Sequence, residues 1–326
     1  MAEPIIESIE SYGLSANKLK SSNLFSKVGI VGCGNDGQYI ARVCSSYGLD
    51  VIFKETTKEK ICESYKKIEE IMDSRIRNWG ATESEKRAVM SRIRGTTDLN
   101  EFKDCDLVIE TVPTTGKARS FDARKEVFEA LEGIVSQTTV IATNSTTVVI
   151  SDLSENLQFK DRCISIHFMI NSVDSRIVEI TQGLYTSNRT YEKVEKFVKM
   201  LKRQVIPVEE SVGLISVRMF SVLLNEACEM VLEGIGSKED IEQLMHTGYG
   251  MRVGPFTIAD IIGLDRVARW MENLFNEFGD SRFKPSPLLK RLIRQHHFGI
   301  SVGKGFYEYD EFGEIIESNK TREKTK

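Results

Sequence analysis

The sequence predicts an α/β domain of parallel βαβ units followed by an all-helical domain, and three observations carry that expectation. Short apolar, β-branched runs alternate with longer helical stretches through the first two-thirds of the 326 residues, the pattern of βαβ units. The first of these runs opens into Gly32, Gly34 and Gly37, spaced GxGxxG, and continues as a helix. From about residue 210 the strand alternation stops and only helical periodicity remains. The implied organisation is an N-terminal extension (1–23), a glycine-loop α/β domain (24–209) and a helical domain (210–326).

Val28–Val31 is the first strand, and the glycines after it have separate uses in a strand–turn–helix phosphate site. Gly32 permits the tight turn, Gly34 lets backbone N–H groups approach a pyrophosphate, and Gly37 lets the helix pack on the strand. The helix N-terminus adds unpaired donors and the positive end of a dipole. Asn35 and Asp36 lie inside this loop, where the Asp36 carboxylate competes with a pyrophosphate unless it points away. A second strand, Val51–Phe53, leads to Glu55, 23 residues after Gly32. A carboxylate there accepts from ribose hydroxyls and favours NAD over NADP, although Lys54, Lys58 and Lys60 leave room for a 2′-phosphate. The expected domain is therefore Rossmann-like.

Lys58–Arg94 reads as one charged helical hairpin broken at Trp79–Thr82, with Thr82 and Glu85 forming a capping box for its second helix. Leu107–Glu110, Val140–Thr143 and Cys163–Phe168 follow as strands. Ser175–Thr181 and Val205–Val208 have strand alternation, with a helix over Ser187–Lys202 between them. The C-terminal helices are expected at Leu214–Leu232, Lys238–Thr247, Phe256–Ile262, Asp265–Phe278 and Pro287–Gln295.

Composition narrows the function classes. Apolar residues make up 40% and charged residues 28%, as in soluble globular proteins, and a net charge of −4 argues against general nucleic-acid binding. Four histidines without HxxxH spacing predict no metal site. Six scattered cysteines without CxxC read as reduced thiols of a cytoplasmic protein. No apolar stretch reaches the roughly 18 residues of a membrane span, and the first residues lack the basic start and apolar run of a signal peptide.

His167 ends the apolar strand CISIHF, and Glu179 lies 12 residues later within RIVEI. If the two strands are neighbours, the carboxylate accepts one imidazole N–H, fixes the tautomer and makes the other nitrogen the base. The residues alone also fit a buried histidine satisfied by backbone and a glutamate on an edge strand. Their place, in the half of the chain that forms the crevice beside a nicotinamide, favours the pair. ATNSTT (Ala142–Thr147) adds an amide and hydroxyls at a strand C-terminus, or else a polar turn capping the next helix.

GCGNDG, LVIETV, ATNST, H-x11-E, GPFTIADIIGLD and SPLLKRLIRQHHFG…GKGFYEY occur here in one order from Lys27 to Tyr309, and in this the chain resembles the L-3-hydroxyacyl-CoA dehydrogenase family. The resemblance implies NAD as cofactor, an acyl-CoA in the cleft between two domains, and a homodimer. It implies that His167 moves the proton of the 3-hydroxyl, that Glu179 orients it, and that Thr146, where the family usually has serine, touches substrate. Asn144, Val112 and Arg124 then fall among the cofactor contacts. The expected reaction is interconversion of a short-chain L-3-hydroxyacyl-CoA, such as 3-hydroxybutyryl-CoA, and the 3-ketoacyl-CoA.

The chain departs from the family at several contacts. GFIVNR reads GLISVR, with Val217 in place of a substrate-contacting asparagine; HFFNP reads HFMIN, with Ile170 at the asparagine position and Asn171 displaced by one. A short insertion surrounds Gly116, with Thr114 in place of a glutamate. Ile71 and Asn78 replace CoA-contacting residues, leaving Arg75, Arg77, Lys86, Arg87, Arg92 and Arg94 as candidate CoA partners or, equally, as a solvated helical face. Each lost buried hydrogen bond costs about 1–3 kcal/mol, which predicts altered specificity or modest activity. Two other readings follow from these departures. One is a carrier-protein thioester or a free hydroxy acid as substrate, the latter received by Arg176 or Arg218. The other is an NAD-binding protein without catalysis.

Overall fold

The computed structural model describes residues 25–112, 119–169 and 175–316. The N-terminal extension, the insertion around Gly116, Ile170 and Asn171 lie outside them.

The glycine-loop domain is an eight-stranded sheet in the order β3-β2-β1-β4-β5-β6-β7-β8. Its opening unit is β1 (Lys27–Val31), α1 (Asn35–Ser46) and β2 (Asp50–Lys54), and β1 and β2 pair in parallel. The charged hairpin follows as α2 (Lys58–Arg77) and α3 (Glu83–Ser91), and the capping box predicted at Thr82 and Glu85 is formed in both directions. The hairpin does not run to Arg94. It ends in an additional strand, β3 (Ile93–Thr96), which completes the edge beside β2. Ile93 and Thr96 are buried there, while the exposed Arg94 pairs with Glu101.

β4 (Leu107–Glu110), α4 (Arg119–Ile134), β5 (Val140–Thr143), α5 (Ile150–Ser154) and β6 (Cys163–Phe168) extend the parallel sheet on the other side of β1. The expectation of parallel units throughout fails at the next strand. β7 (Ile177–Gln182) returns antiparallel to β6, and α6 (Asn188–Met200) then leads to β8 (Gln204–Glu209), parallel to β7. The segment joining β6 to β7 is too short for the crossover a parallel pair needs.

Side chains alternate across the sheet, so both faces are covered. Val28, Ile30, Val51, Phe53, Ile164 and Ile166 pack against the α1, α2 and α6 face. Val31, Ile52, Val108 and Ile141 pack against Phe128 and Leu131 of α4.

After β8 come α7 (Ile215–Glu233), α8 (Lys238–Gln243), α9 (Pro255–Ile262), α10 (Leu264–Phe278) and α11 (Pro287–Arg294). Leu224, Phe256, Leu264, Met271 and Leu289 form their shared core. The two motif stretches of this region meet at Asp260 of α9, whose carboxylate accepts from the Phe306 and Tyr307 amides at 2.9 and 3.0 Å and from the Tyr309 hydroxyl at 2.8 Å. Among the described residues no helix is long and apolar enough to cross a membrane.

Candidate active site

β1 and β4 lie side by side while the chain leaves them in opposite directions along the sheet, so a crevice opens at their carboxyl ends. The glycine loop occupies it. Gly32 has φ +90°, and its N–H donates to the Lys54 carbonyl at 3.0 Å. A Cβ on Gly37 would lie 2.2 Å from the Gly32 carbonyl oxygen, so only glycine allows α1 to start this close to β1. Gly34 caps α1 without a side-chain hydrogen bond, and a Cβ there would meet nothing within 4 Å. Gly34, Asn35 and Asp36 line an open cavity, so a group approaching the helix N-terminus over Gly34 has room, as an incoming diphosphate requires. Glu55, at the end of β2, turns onto the loop and accepts from Cys33 N at 2.5 Å and Thr56 N at 3.3 Å. These residues fit a dinucleotide.

Asp36 does not point away from the loop. Its two oxygens are held by Arg266 Nη1 at 2.7 Å and Asn144 Nδ2 at 3.1 Å. Asn144 in turn accepts from the Phe168 amide at 2.9 Å, which fixes the orientation of its own amide. Arg124 is buried and turned to the end of β4, where it pairs with Glu110 and donates to the Val112 carbonyl at 2.7 Å. Val112 N donates to Glu110 at 2.5 Å, and Thr143 donates to the other Glu110 oxygen at 2.7 Å. Arg124 thus braces the pocket wall at Val112.

The reversal at β7 makes His167 and Glu179 register partners on adjacent strands. His167 Nδ1 and Glu179 Oε2 are 2.7 Å apart, and both side chains are buried. Ser216, in the first turn of α7, donates from its N–H at 3.0 Å and from its hydroxyl at 2.6 Å to the same carboxylate. Burial raises the Glu179 pKa, but the hydrogen bonds from His167 and Ser216 outweigh it and hold the group below the ordinary carboxylate range.

Gly34, Asp36, Asn144, Thr146 and His167 face one cavity of about 290 Å³, which takes the reacting ends of two ligands but not the whole of either. Its far wall is α10, whose Arg266, Arg269, Trp270 and Asn273 share one helix face. Asn273 donates to the Thr147 hydroxyl at 2.8 Å, and Arg269 pairs with Asp265 at 2.8 Å.

Sequence reasoning missed this wall and Ser216. The polar residues at 266, 269 and 273 were its only signal, in a helix that otherwise reads as ordinary amphipathic packing. Val217 corrects an expectation: it packs with Leu274 and Phe283 and does not line the cavity, because the first turn of α7 aims Ser216 at Glu179 and the next residue at the helical core. Arg176 and Arg218, the candidate receptors for a free acid, also lie elsewhere. Arg218 sits over the Phe278 ring at 4.6 Å, and Arg176 lines a separate depression. Two of the candidate CoA cations are committed as well, Lys86 to Asp73 at 2.6 Å and Arg94 of β3 to Glu101.

Residues 27–211 match the 3-hydroxyacyl-CoA dehydrogenase NAD-binding domain, and residues 213–309 match the C-terminal domain of the same family. The chain belongs to the 3-hydroxyacyl-CoA dehydrogenase family. NAD is accordingly its cofactor. It is 31% identical over 283 residues to a probable 3-hydroxybutyryl-CoA dehydrogenase of Deinococcus radiodurans, covering 87% of this chain and 100% of that one. Among solved structures it is similar to the (S)-3-hydroxybutyryl-CoA dehydrogenase of Ralstonia eutropha, with TM-score 0.76 and 30% identity over 88% of this chain and 100% of the other. It is also similar to M. tuberculosis FadB2, with TM-score 0.83 and 26% identity over the same shares of the two chains.

Proposed function

We propose that the chain interconverts a short-chain L-3-hydroxyacyl-CoA and the corresponding 3-ketoacyl-CoA with NAD, and that His167 is its acid–base residue. The observation that carries this reading is the buried His167–Glu179 pair at 2.7 Å on the wall of the cofactor cavity. Bound NAD supplies the hydride acceptor for C3 of the substrate. With Nδ1–H donated to Glu179, His167 Nε2 is left as the base for the 3-hydroxyl proton, and the carboxylate stabilises the imidazolium that forms. Ser216 keeps that carboxylate ionised and in place. Thr146 offers a hydroxyl to the reacting oxygen from the loop after β5. The preference for short chains is supported by relatives named 3-hydroxybutyryl-CoA dehydrogenases, since Val217 does not bear on the cavity.

The test is NADH oxidation by the purified protein with acetoacetyl-CoA, with NADPH in parallel. Turnover that prefers NADH supports the reading; NADH binding without turnover on acyl thioesters overturns it in favour of an NAD-binding protein without catalysis. His167→Gln should abolish turnover and leave NADH binding intact.

The same reading includes a homodimer through the outer face of α7, where Ile215, Met219 and Val222 are exposed; light scattering at assay concentrations tests it. It also includes a reducing, cytoplasmic compartment. In support, the six cysteines are free, and burial pushes the thiols of Cys33, Cys44, Cys105, Cys163 and Cys228 up to about 12.

A further inference from the structure

The glycine loop of this chain contains an apparent contradiction. Asp36 is the second residue of α1, among the N–H groups that must receive two phosphate charges. A carboxylate in a helix's first turn favours the free helix, because it faces the positive end of the dipole. It opposes a diphosphate at the same place. Like charges brought together in a shielded site cost several kcal/mol, so this loop should bind a dinucleotide poorly unless Asp36 is neutralised.

The neutralising group comes from the other domain. Arg266, in the first turn of α10 and 230 residues away in sequence, places Nη1 2.7 Å from Asp36 Oδ1, and the Asn144 amide holds Oδ2 at 3.1 Å. Neither side chain of the ion pair is widely exposed, at 30% for Arg266 and 25% for Asp36, so solvent screens the pair only in part. Asn273, two turns further along the same face of α10, donates to Thr147 on the loop after β5. The helical domain is therefore fixed to the cofactor domain at two points on one cavity, and one of them is the phosphate loop itself.

We propose that Arg266 is a positioning residue for the cofactor: it cancels the charge of Asp36, and so the helical domain completes the dinucleotide site. Cofactor affinity then depends on the contact between the two domains. An NAD-binding domain separated from α10 would carry an uncompensated carboxylate in its phosphate loop. This effect acts on the cofactor alone, whichever thioester or acid is the substrate.

The experiment is NADH titration by the fluorescence of the bound nucleotide, without substrate, on the full-length chain and four variants. Arg266→Gln should weaken NADH binding about tenfold or more, the size expected when a like-charge contact is exposed. Arg266→Lys keeps the charge and should bind nearly as the unmodified protein does. Asp36→Asn should bind at least as tightly as the unmodified protein. The double variant Asp36→Asn/Arg266→Gln should recover most of the affinity that Arg266→Gln loses. Charge cancellation requires that removing Asp36 gains far more affinity in the Arg266→Gln background than in the unmodified protein. Direct contact between Arg266 and the diphosphate gives the same gain in both, and a structural role gives none. The proposal is overturned if Arg266→Gln binds normally, if the double variant stays as weak as Arg266→Gln, or if Asp36→Asn alone loses affinity. Should Arg266→Gln fail to fold, Asp36→Asn and Arg266→Lys still decide it.

Discussion

Replacing Glu179 by glutamine tests the centre of the proposed mechanism with almost no change in volume. Glu179 is 2% exposed, and its carboxylate receives three hydrogen bonds: 2.7 Å from His167, and 3.0 and 2.6 Å from Ser216. Glutamine has one acceptor oxygen. If that oxygen serves His167, the new NH2 faces the Ser216 amide, donor against donor. The imidazolium formed during turnover also loses its counter-charge. A hydrogen bond to a charged group contributes about 1.5–3 kcal/mol, which at the transition state is roughly a ten- to hundredfold loss in kcat. NADH affinity should be unchanged, because Glu179 touches His167 and α7 and none of the glycine loop. The assay is steady-state NADH oxidation with acetoacetyl-CoA, paired with NADH titration by fluorescence. A Glu179→Gln protein whose kcat stays within about twofold of the unmodified enzyme would refute the reasoning, since twofold is well below the tenfold that a 1.4 kcal/mol loss produces.

Other perturbations have equally definite outcomes. Gly37→Ala should weaken NADH binding and lower stability by about 1–3 kcal/mol, because its Cβ would lie 2.2 Å from the Gly32 carbonyl oxygen and α1 must move; unaltered NADH titration and urea unfolding would contradict this. Val217→Asn restores the residue type of the resembling motif, yet it should cost about 1–3 kcal/mol in urea unfolding and bring no gain in turnover, because position 217 faces Leu274 and Phe283. A gain in kcat/KM would mean that α7 presents a different face to the substrate. Stability should also depend on pH through Glu179. Its folded-state pKa lies below the unfolded value, so it stabilises the fold above the ordinary carboxylate range, and that contribution is lost as the pH falls through the depressed value. The stability gap between the unmodified protein and Glu179→Gln should therefore narrow between pH 7 and strongly acidic solution; a gap constant over that range would exclude the mechanism.

Much of the fold was legible because its signals are local. A glycine that must adopt φ +90° at position 32, a Thr82–Glu85 capping box and alternating β-branched runs each report on neighbouring residues and survive any change of tertiary context. β3 was not legible for the same reason. Four residues, IRGT, following a charged helix carry too little alternation to mark a strand, and only pairing with β2 makes them one. The site divides likewise. His167 and Glu179 stood out as polar residues in apolar runs, whereas Ser216 carried no mark beyond its place beside Val217.

By itself the sequence determined the glycine loop and the positions of most strands and helices, consequences of backbone preference and burial within a few residues; it marked His167 and Glu179 as polar residues in apolar runs, and only resemblance to the family proposed them as the acid–base pair. Tertiary structure alone decided that β7 reverses and brings Glu179 opposite His167, that Val217 turns inward, and that Arg266 crosses from the helical domain to the Asp36 carboxylate. Those three depend on how elements distant in sequence pack together. Hydrophobic periodicity shows that each element has a buried face, but it does not show which partner covers that face or which polar group meets which across the cleft.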